Sequence, residues 1–320
     1  MKKFVILYIN FTFGWYNLSK KEGIKDMRLD DYRESDYVDD RRDSSGYSGG
    51  GGKMSMGTLM MLWPLIRPLL RTKFGWAIIA LGAVAYMGGF NPLAFLGGGT
   101  TTHKVDKRVD DNSAIFAKKV FATTEDVWSQ LLPKYGMHYK NPKLVLYRGS
   151  THSGCGGAMA QMGPFYCPAD ASVYLDLSFF DELSAKFKAS GDFAQAYVIA
   201  HEVGHHIQNL QGLLAKVQRL KQKWGGSSAK SNALQVRVEL QADCYAGVWG
   251  HYVKDFGLLS RGDLQEAINA ASSIGDDTLQ KRAGQRVRPD TFTHGSSRQR
   301  MQWFKKGFES GDISVCDTFR

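Results

Sequence analysis

The pentapeptide His201-Glu-Val-Gly-His205 combines residue types that could hold a metal ion and activate a water molecule. It lies within residues 192–210, where apolar residues recur at helical spacing. Residues four apart share one face of a helix, so His201 and His205 can present two imidazoles to one ion. Tetrahedral Zn²⁺ suits two histidines, a third protein ligand and an open fourth position for water. Glu202 would take a proton from that water and later deliver it to the leaving amine.

A second predicted helix, at residues 232–256, offers the missing ligand. It carries Glu239 and, one turn further on, Asp243. We predict that Glu239 is the third zinc ligand and that Asp243 holds the free N–H of a ligand histidine, which would fix its orientation. The alternatives are ordinary histidines without a metal, and carboxylates that form an exposed acidic face or pair with Arg237.

Length and composition favour one sizeable domain with accessory segments. The chain has 320 residues, 43% of them hydrophobic, and a formal net charge of +10. The basic residues are spread along the chain without a dense block interleaved with aromatics, so we expect no nucleic-acid partner. A mildly basic domain fits the surface of an anionic membrane.

The four cysteines are compatible with two disulfides in an oxidising compartment. Three connectivities are possible, and the sequence does not choose between them. Cys155 with Cys167 is the natural local pair and would close a glycine-rich loop, leaving Cys244 with Cys316. Four buried free thiols are the alternative, which a cytosolic location would favour.

The N-terminal part of the chain contains three segments of different composition. Residues 1–26 faintly resemble a signal peptide but lack its small-x-small cleavage site, and we predict that they are a non-native extension preceding a true start at Met27. Residues 27–53 are highly charged and then rich in serine and glycine, which predicts a disordered cytoplasmic tail. That tail could also recruit a cytoplasmic partner.

Residues 54–98 predict a juxtamembrane segment followed by one transmembrane helix. The stretch at 74–90 carries no charge and, with 93–96, is long enough to span a bilayer. Arg67, Arg71 and Lys73 precede it, which by the positive-inside rule puts the N-terminus in the cytoplasm and the following domain outside. A buried core helix is the alternative.

Residues 110–320 are expected to form an α+β domain that is mainly helical and has a small sheet. Strands are predicted at 143–147 and 171–177, with a loop at 150–170 between them. Thr123 is predicted to cap a helix that ends at Leu132. Further helices are predicted at 178–188, 192–210, 213–223, 232–256, 260–274 and 296–307, and a short helix or loop at 276–288.

The combination of His-Glu-x-x-His with a later Glu-x-x-x-Asp resembles the gluzincin class of zinc metallopeptidases. More narrowly, the chain resembles the bacterial family of putative neutral zinc metallopeptidases over about residues 27–320. The resemblance is carried by Ser153-Gly-Cys-Gly, Gly163-Pro-Phe-Tyr-Cys-Pro, Val173-Tyr-Leu-Asp-Leu-Ser-Phe-Phe, His201-Glu-Val-Gly-His-His-Ile-Gln, Glu239-Leu-Gln-Ala-Asp-Cys-Tyr-Ala-Gly-Val-Trp and Thr293-His-Gly-Ser-Ser. It implies a single-span anchor and a zincin-like domain, and it supplies no substrate.

These observations predict a membrane-anchored zinc metallopeptidase whose site faces the periplasm or the exterior. Its partners would be a peptide or protein substrate and the lipid bilayer, and its oligomeric state is undetermined. His294 is a further catalytic candidate, because it could stabilise the oxyanion of a tetrahedral intermediate, although a structural role is the alternative. Two rival functions use the same residues: another zinc-dependent amide hydrolase of the cell envelope, and a non-catalytic scaffold stabilised by zinc. The scaffold would need no Glu202 and would close the fourth position of the metal.

Overall fold

A computed structural model describes residues 27–43, 107–159, 162–187 and 191–320. The predicted extension at 1–26, residues 44–53 of the predicted tail and the predicted membrane segment at 54–98 lie outside the described residues. Among the residues that are described, no helix is both long and apolar enough to cross a membrane.

Eight helices are found in the described part of the chain, together with short 3₁₀ turns. They are α1 (Lys107–Leu131), α2 (Ser178–Phe187), α3 (Asp192–Leu210), α4 (Leu213–Lys223), α5 (Ala229–Asp255), α6 (Asp263–Ser273), α7 (Asp276–Arg282) and α8 (Ser297–Ser310). The α+β, mainly helical class is confirmed. Helices α3 and α4 have the predicted bounds, whereas α5 begins three residues earlier than expected.

The main sheet has four strands in the order β1-β2-β6-β5. They are β1 (Val38–Asp40), β2 (Lys143–Tyr147), β5 (Phe165–Cys167) and β6 (Ser172–Asp176). β1, β2 and β6 are parallel, while β5 runs antiparallel to β6. A separate hairpin consists of β3 (Ser150–Ser153) and β4 (Gly156–Met159).

Both faces of the central strands are buried, against different partners. Leu144, Leu146 and Leu175 face the main core with the helices. Val145 and Tyr174 face a smaller apolar cluster that includes Ala158 of the hairpin. Strands buried on both faces lack polar alternation, which is why β2 reads as a continuous apolar run.

Two disulfides are formed, with the connectivity that the local pairing suggested. Cys155 joins Cys167 and attaches the hairpin to β5. Cys244 joins Cys316 and attaches the C-terminal segment to α5. All four cysteines of the chain are therefore paired.

The predicted disordered tail is wrong for residues 27–43. Met27 and Leu29 are buried in the main core, and Val38 pairs with Leu144. The charged residues that suggested disorder instead form ion pairs with α1: Arg33 contacts Glu125 and Asp126. This segment therefore folds as part of the domain.

Two further elements differ from expectation. Thr123 does not cap a helix but lies inside α1, where its hydroxyl donates to the carbonyl of Val120. The predicted loop at 150–170 contains the β3–β4 hairpin and β5, since the Cys155–Cys167 disulfide and burial against β6 hold these short strands in place.

Candidate metal centre

Three predicted ligands converge between α3 and α5. His201, His205 and Glu239 each offer one ligand atom, and these atoms all lie within 4.8 Å of one another. The Glu239 Oε2 atom lies 3.2 Å from Nε2 of His201 and 3.5 Å from Nε2 of His205. Two imidazole nitrogens and a carboxylate oxygen are a donor set that Zn²⁺ commonly takes.

The two helices approach each other closely because a glycine lies at their crossing. A Cβ atom at Gly204 would lie 3.0 Å from the carbonyl oxygen of Ala242. Gly204 is the fourth residue of the pentapeptide, and Ala242 precedes Asp243. The small residue thus brings the histidine face of α3 against the carboxylate face of α5.

His201 is oriented by a buried network centred on Asp243. The Asp243 Oδ1 atom lies 2.9 Å from His201 Nδ1 and accepts a hydrogen bond of 2.5 Å from Tyr197. Arg300 of α8 donates to both Asp243 oxygens, at 2.9 Å each. Burial alone would raise the pKa of Asp243, but Arg300 and His201 outweigh it and hold that pKa at about 2. Asp243 is therefore a permanent acceptor for His201.

His205 is oriented by a second chain of hydrogen bonds. Its Nδ1 atom lies 2.8 Å from Oε1 of Gln208. The amide nitrogen of Gln208 donates to the carbonyl of Val238 at 2.7 Å and to Gln241 at 3.0 Å. Because the amide nitrogen is committed to two acceptors, Oε1 is fixed as the atom that faces His205.

These networks allow a test of whether the residues fit a metal ion. Asp243 and Gln208 present acceptors, so Nδ1 of both neutral histidines must carry the proton and Nε2 of both must carry the lone pair. When both histidines are neutral, a lone pair of Glu239 faces a lone pair on each Nε2 atom, and a cation between the three atoms would relieve that repulsion. Burial lowers the pKa of His201, but the Asp243 and Glu239 carboxylates outweigh it and raise that pKa to about 10. The field of the site thus favours positive charge, and the residues fit a divalent metal.

Glu239 is held from its other side by a polar chain. Gln235 donates from its amide nitrogen to Glu239 Oε1 at 2.8 Å, and Lys221 of α4 donates to Gln235 at 2.8 Å. Burial would raise the pKa of Glu239, but the two histidines outweigh it and keep that pKa well below its usual range. The Oε2 atom remains directed at His201 and His205.

Glu202 lies beside the triad and faces open space. It is 8% exposed and lines the cavity in front of the metal site. No hydrogen bond from another described residue reaches its carboxylate, and burial raises its pKa. An accessible carboxylate with a raised pKa in a largely buried position is suited to accept a proton.

The cavity has a volume of about 980 Å³ and is mainly apolar. Its walls come mainly from α3, α4, α5 and the segment leading into β5. A cleft of this size holds several residues of an extended chain or a small ligand. The apolar side chains that line it include Met162, Phe165, Phe179, Leu214, Val217 and Leu279.

His294 also lines this cavity, from the loop before α8. Its side chain is 50% exposed and its Nδ1 atom lies 3.2 Å from Asp276 Oδ1. Asp276 Oδ2 accepts backbone N–H groups from Thr293, His294 and Gly295 at 2.6–3.0 Å. The hydrogen bond to Asp276 raises the pKa of His294, which favours its protonated form. The imidazole is thus a positioned donor at the edge of the cavity.

His206, the neighbour of His205, points away from the triad. It lies 3.0 Å from the Tyr166 hydroxyl and 2.6 Å from the carbonyl of Lys140. Burial lowers its pKa to about 4, so it is neutral near pH 7. It links α3 to β5 and to the segment before β2.

Sequence reasoning missed Arg300, Gln208 and Gln235, which orient the triad. The signal for Arg300 was indirect: a buried Asp243 requires a cation or several donors. The sequence did not indicate which cation pairs with Asp243, because Arg300 belongs to another helix. Gln208 follows His205 by three residues, a spacing at which helical side chains interact.

The site is of the kind used by metal-dependent hydrolases: a His-Glu-x-x-His helix met by a carboxylate from a second helix. The chain belongs to the family of putative neutral zinc metallopeptidases, whose model matches residues 27–319.

Two relatives illustrate the similarity. The uncharacterized protein YpfJ of Escherichia coli (strain K12) is 48% identical over 297 residues, which cover 92% of this chain and 99% of that protein. The uncharacterized protein Rv2575 of Mycobacterium tuberculosis (strain H37Rv) is 43% identical over 208 residues, 62% of this chain and 67% of that protein. No solved structure matches the chain.

Proposed function

We propose that the protein is a zinc-dependent metallopeptidase in which His201, His205 and Glu239 hold the metal and Glu202 is the general base. One observation carries the proposal. The Nε2 atoms of both histidines and Oε2 of Glu239 converge beside a carboxylate that faces the cavity. Zinc bound there would polarise the scissile carbonyl and activate a water molecule.

The chain's own residues account for the proton transfers. Glu202 accepts a proton from the attacking water, for which its carboxylate is accessible from the cavity. The same carboxyl then delivers that proton to the leaving amine, since it is the acid closest to the ligands on α3. Asp243 and Gln208 keep the histidines in one tautomer throughout.

His294 is proposed to stabilise the transition state. Its imidazolium would donate a hydrogen bond to the oxygen of the scissile carbonyl as negative charge develops there. Asp276 supports this role in two ways: it holds the backbone of the loop and it favours the charged imidazole.

The proposed substrate is a peptide or protein that enters the apolar cavity. The proposed location is a compartment outside the cytoplasm, for which the two disulfides are the support. Attachment to a bilayer through residues 74–96 is part of the proposal and rests on their composition.

The experiment compares zinc content and peptide hydrolysis in wild type and Glu202→Gln. Zinc per chain is measured by elemental analysis, and cleavage is followed by mass spectrometry of a peptide library. We expect Glu202→Gln to keep its zinc and lose about 10²- to 10⁴-fold in kcat, the usual share of a general base. His205→Gln should lose the metal as well.

His152→Gln is the matched control, because His152 is an exposed histidine of β3 outside the cavity. It should retain zinc and activity. Full activity in zinc-loaded Glu202→Gln contradicts the mechanism. Cleavage of non-peptide amides alone would replace the peptidase by another amide hydrolase, and zinc without any turnover would indicate a scaffold.

A further inference from the structure

One side of the cavity at the candidate metal centre is bordered by a stretch of chain with basic residues and no acidic ones. Residues 203–238 contain six lysines and arginines and no aspartate or glutamate. The stretch includes all of α4, which provides one wall of the cavity. A surface with one sign of charge beside a cleft raises the local concentration of ligands of the opposite sign.

Two of these charges lie on the cavity side of α4. Ala215 lines the cavity and is exposed. Arg219 and Lys223 follow it at intervals of four residues, so the three side chains form one stripe along the helix. Both charged side chains are exposed, and neither forms an ion pair with a carboxylate among the described residues. Arg219 and Lys223 are called the basic rim below.

The surroundings of the basic rim add positive charge. Lys230 of α5 lies over the ring of Trp224, at the end of α4, with its Nζ atom 4.1 Å from the ring centroid. Asn232 of α5 donates to the carbonyl of Asp290 at 3.0 Å, which brings the loop between α7 and α8 to the start of α5. The carboxylate of Asp290 is compensated by Arg288 at 3.0 Å, so this loop does not reverse the charge.

We infer that the substrate carries acidic residues next to the residue that occupies the cavity, and that the basic rim binds them. The inference rests on the proposed peptidase function and names its class of substrate. The apolar walls take an uncharged side chain, and Arg300, which also lines the cavity, is paired with Asp243. Carboxylates of a bound peptide are therefore met at the edge of the cavity, by Arg219 and Lys223.

An acidic peptide fits these observations better than an anionic membrane surface does. Protein segments that lie in a membrane interface combine basic residues with exposed tryptophan, phenylalanine or leucine. In the described part of the chain, the exposed large apolar side chains include Met159 and Phe256, and none belongs to residues 203–238. The basic rim borders a cleft instead, where a peptide can place an apolar side chain inside and carboxylates outside.

The test measures peptide binding to the full chain. Fluorescence anisotropy is recorded on zinc-loaded Glu202→Gln, so that the proposed turnover does not consume the peptides. Three peptides share a central leucine and differ only in their flanking residues, which are glutamate, glutamine or lysine. We expect the glutamate peptide to bind about 2- to 30-fold more tightly than the glutamine peptide, because two exposed ion pairs contribute about 1.4- to 5-fold each. The lysine peptide should bind most weakly.

Arg219→Gln/Lys223→Gln in the same background tests the basic rim. Arg261→Gln/Lys305→Gln is the matched control, because it removes the same charge at two exposed positions that do not line the cavity. The rim variant should bind the glutamate and glutamine peptides equally, whereas the control should keep the preference and lose it at high salt. Equal affinities for the two peptides without rim substitutions, or a preference that survives in the rim variant, would overturn the inference.

Two further readouts separate this inference from its rivals. Vesicles of phosphatidylglycerol and phosphatidylcholine are the membrane probe. Vesicle binding that depends on the basic rim, without discrimination among the peptides, would assign the rim to a lipid surface and overturn the inference. A preference for the glutamate peptide in a wild-type protein that cleaves nothing would support the inference and contradict the peptidase function alone.

Kinetics on chains that retain Glu202 distinguish binding at the rim from a general disturbance of the site. Arg219→Gln/Lys223→Gln should raise KM for the glutamate peptide and leave its kcat unchanged, because the rim lies away from the reacting atoms. KM for the glutamine peptide should stay as in the wild type. An unchanged KM for the glutamate peptide, or an equal rise for both peptides, would contradict a role of the basic rim in substrate selection.

Discussion

Asp243 is the residue on which the geometry of His201 depends. It accepts from His201, Tyr197 and Arg300 and is fully buried. The ion pair with Arg300 keeps it charged, so that it holds one tautomer of His201 over the whole physiological pH range.

Asp243→Asn is predicted to weaken zinc binding by about 10- to 100-fold, the usual effect of losing a partner that orients a ligand histidine. The amide must direct its N–H₂ group at either His201 or Arg300, and both are donors. Affinity is measured by competition with a chelator. Asp255→Asn, at the exposed end of the same helix, should bind zinc as the wild type does; equal affinities for both variants would remove Asp243 from this role.

His294 and Asp276 are expected to make the activity of the site decline at alkaline pH. The pKa of His294 is raised, mainly by its hydrogen bond to Asp276, so the imidazolium persists above the usual pKa of about 6.5. The contribution of this ion pair to the free energy of unfolding is fully present below the pKa that His294 has in the unfolded chain. It is lost as the pH rises through the higher pKa that His294 has in the folded protein.

Asp276→Asn should therefore move the alkaline limb of the kcat profile to lower pH, because the carboxylate that raises the pKa of His294 is removed. His294→Ala should lower kcat by about 10²- to 10³-fold with zinc content unchanged, the loss seen for one oxyanion donor. Profiles of kcat against pH check both variants. If the alkaline limb of the profile is unchanged in Asp276→Asn, a group other than His294 determines that limb.

At the scale of elements, the contact of α5 with α8 decides where Arg300 lies. Gly247 and Gly307 face each other's helices: a Cβ at Gly307 would lie 2.0 Å from the carbonyl of Cys244, and one at Gly247 would lie 2.0 Å from that of Phe304. Backbone atoms cannot yield as a flexible side chain would, so both contacts require glycine.

Gly307→Ala is predicted to destabilise the fold by about 1–3 kcal/mol, the usual cost of overpacking, and to weaken zinc binding by displacing Arg300. Thermal unfolding and chelator competition measure the two effects. Gly157→Ala is the matched control, since nothing lies within 4 Å of a Cβ there and its φ is ordinary. If both variants unfold at one temperature, the close helix contact is not required.

The elements differ in how far the sequence predicts them. Helix α3 and the spacing of His201 and His205 follow from local periodicity, and Glu239 follows from a buried carboxylate on a second helix. Strand β1 could not be predicted, because Val38–Asp40 is short and acidic and is stabilised only by pairing with β2. Arg300 was missed for a similar reason: its role exists only where α8 meets α5.

At the scale of the whole molecule, β1 constrains the arrangement at a membrane. The predicted topology has a cytoplasmic tail, one crossing at 74–96 and a domain on the far side. Pairing of Val38 with Leu144 predicts a different arrangement, because a single crossing would place the two strands on opposite sides of the bilayer. We therefore predict that the segment at 27–43 and the domain lie on the same side of the membrane.

Single introduced cysteines test this placement, since all four native cysteines are in disulfides. Asp36→Cys reports on the N-terminal segment and Lys305→Cys on the domain, and both positions are exposed. A membrane-impermeant maleimide added to intact cells should label both variants or neither, and lysis should make both reactive. Labelling of Lys305→Cys alone would show that β1 and β2 are separated by the membrane, and would restore the single crossing with a cytoplasmic tail. Equal labelling from outside would place the N-terminal segment and the candidate metal centre together in the compartment where the disulfides form.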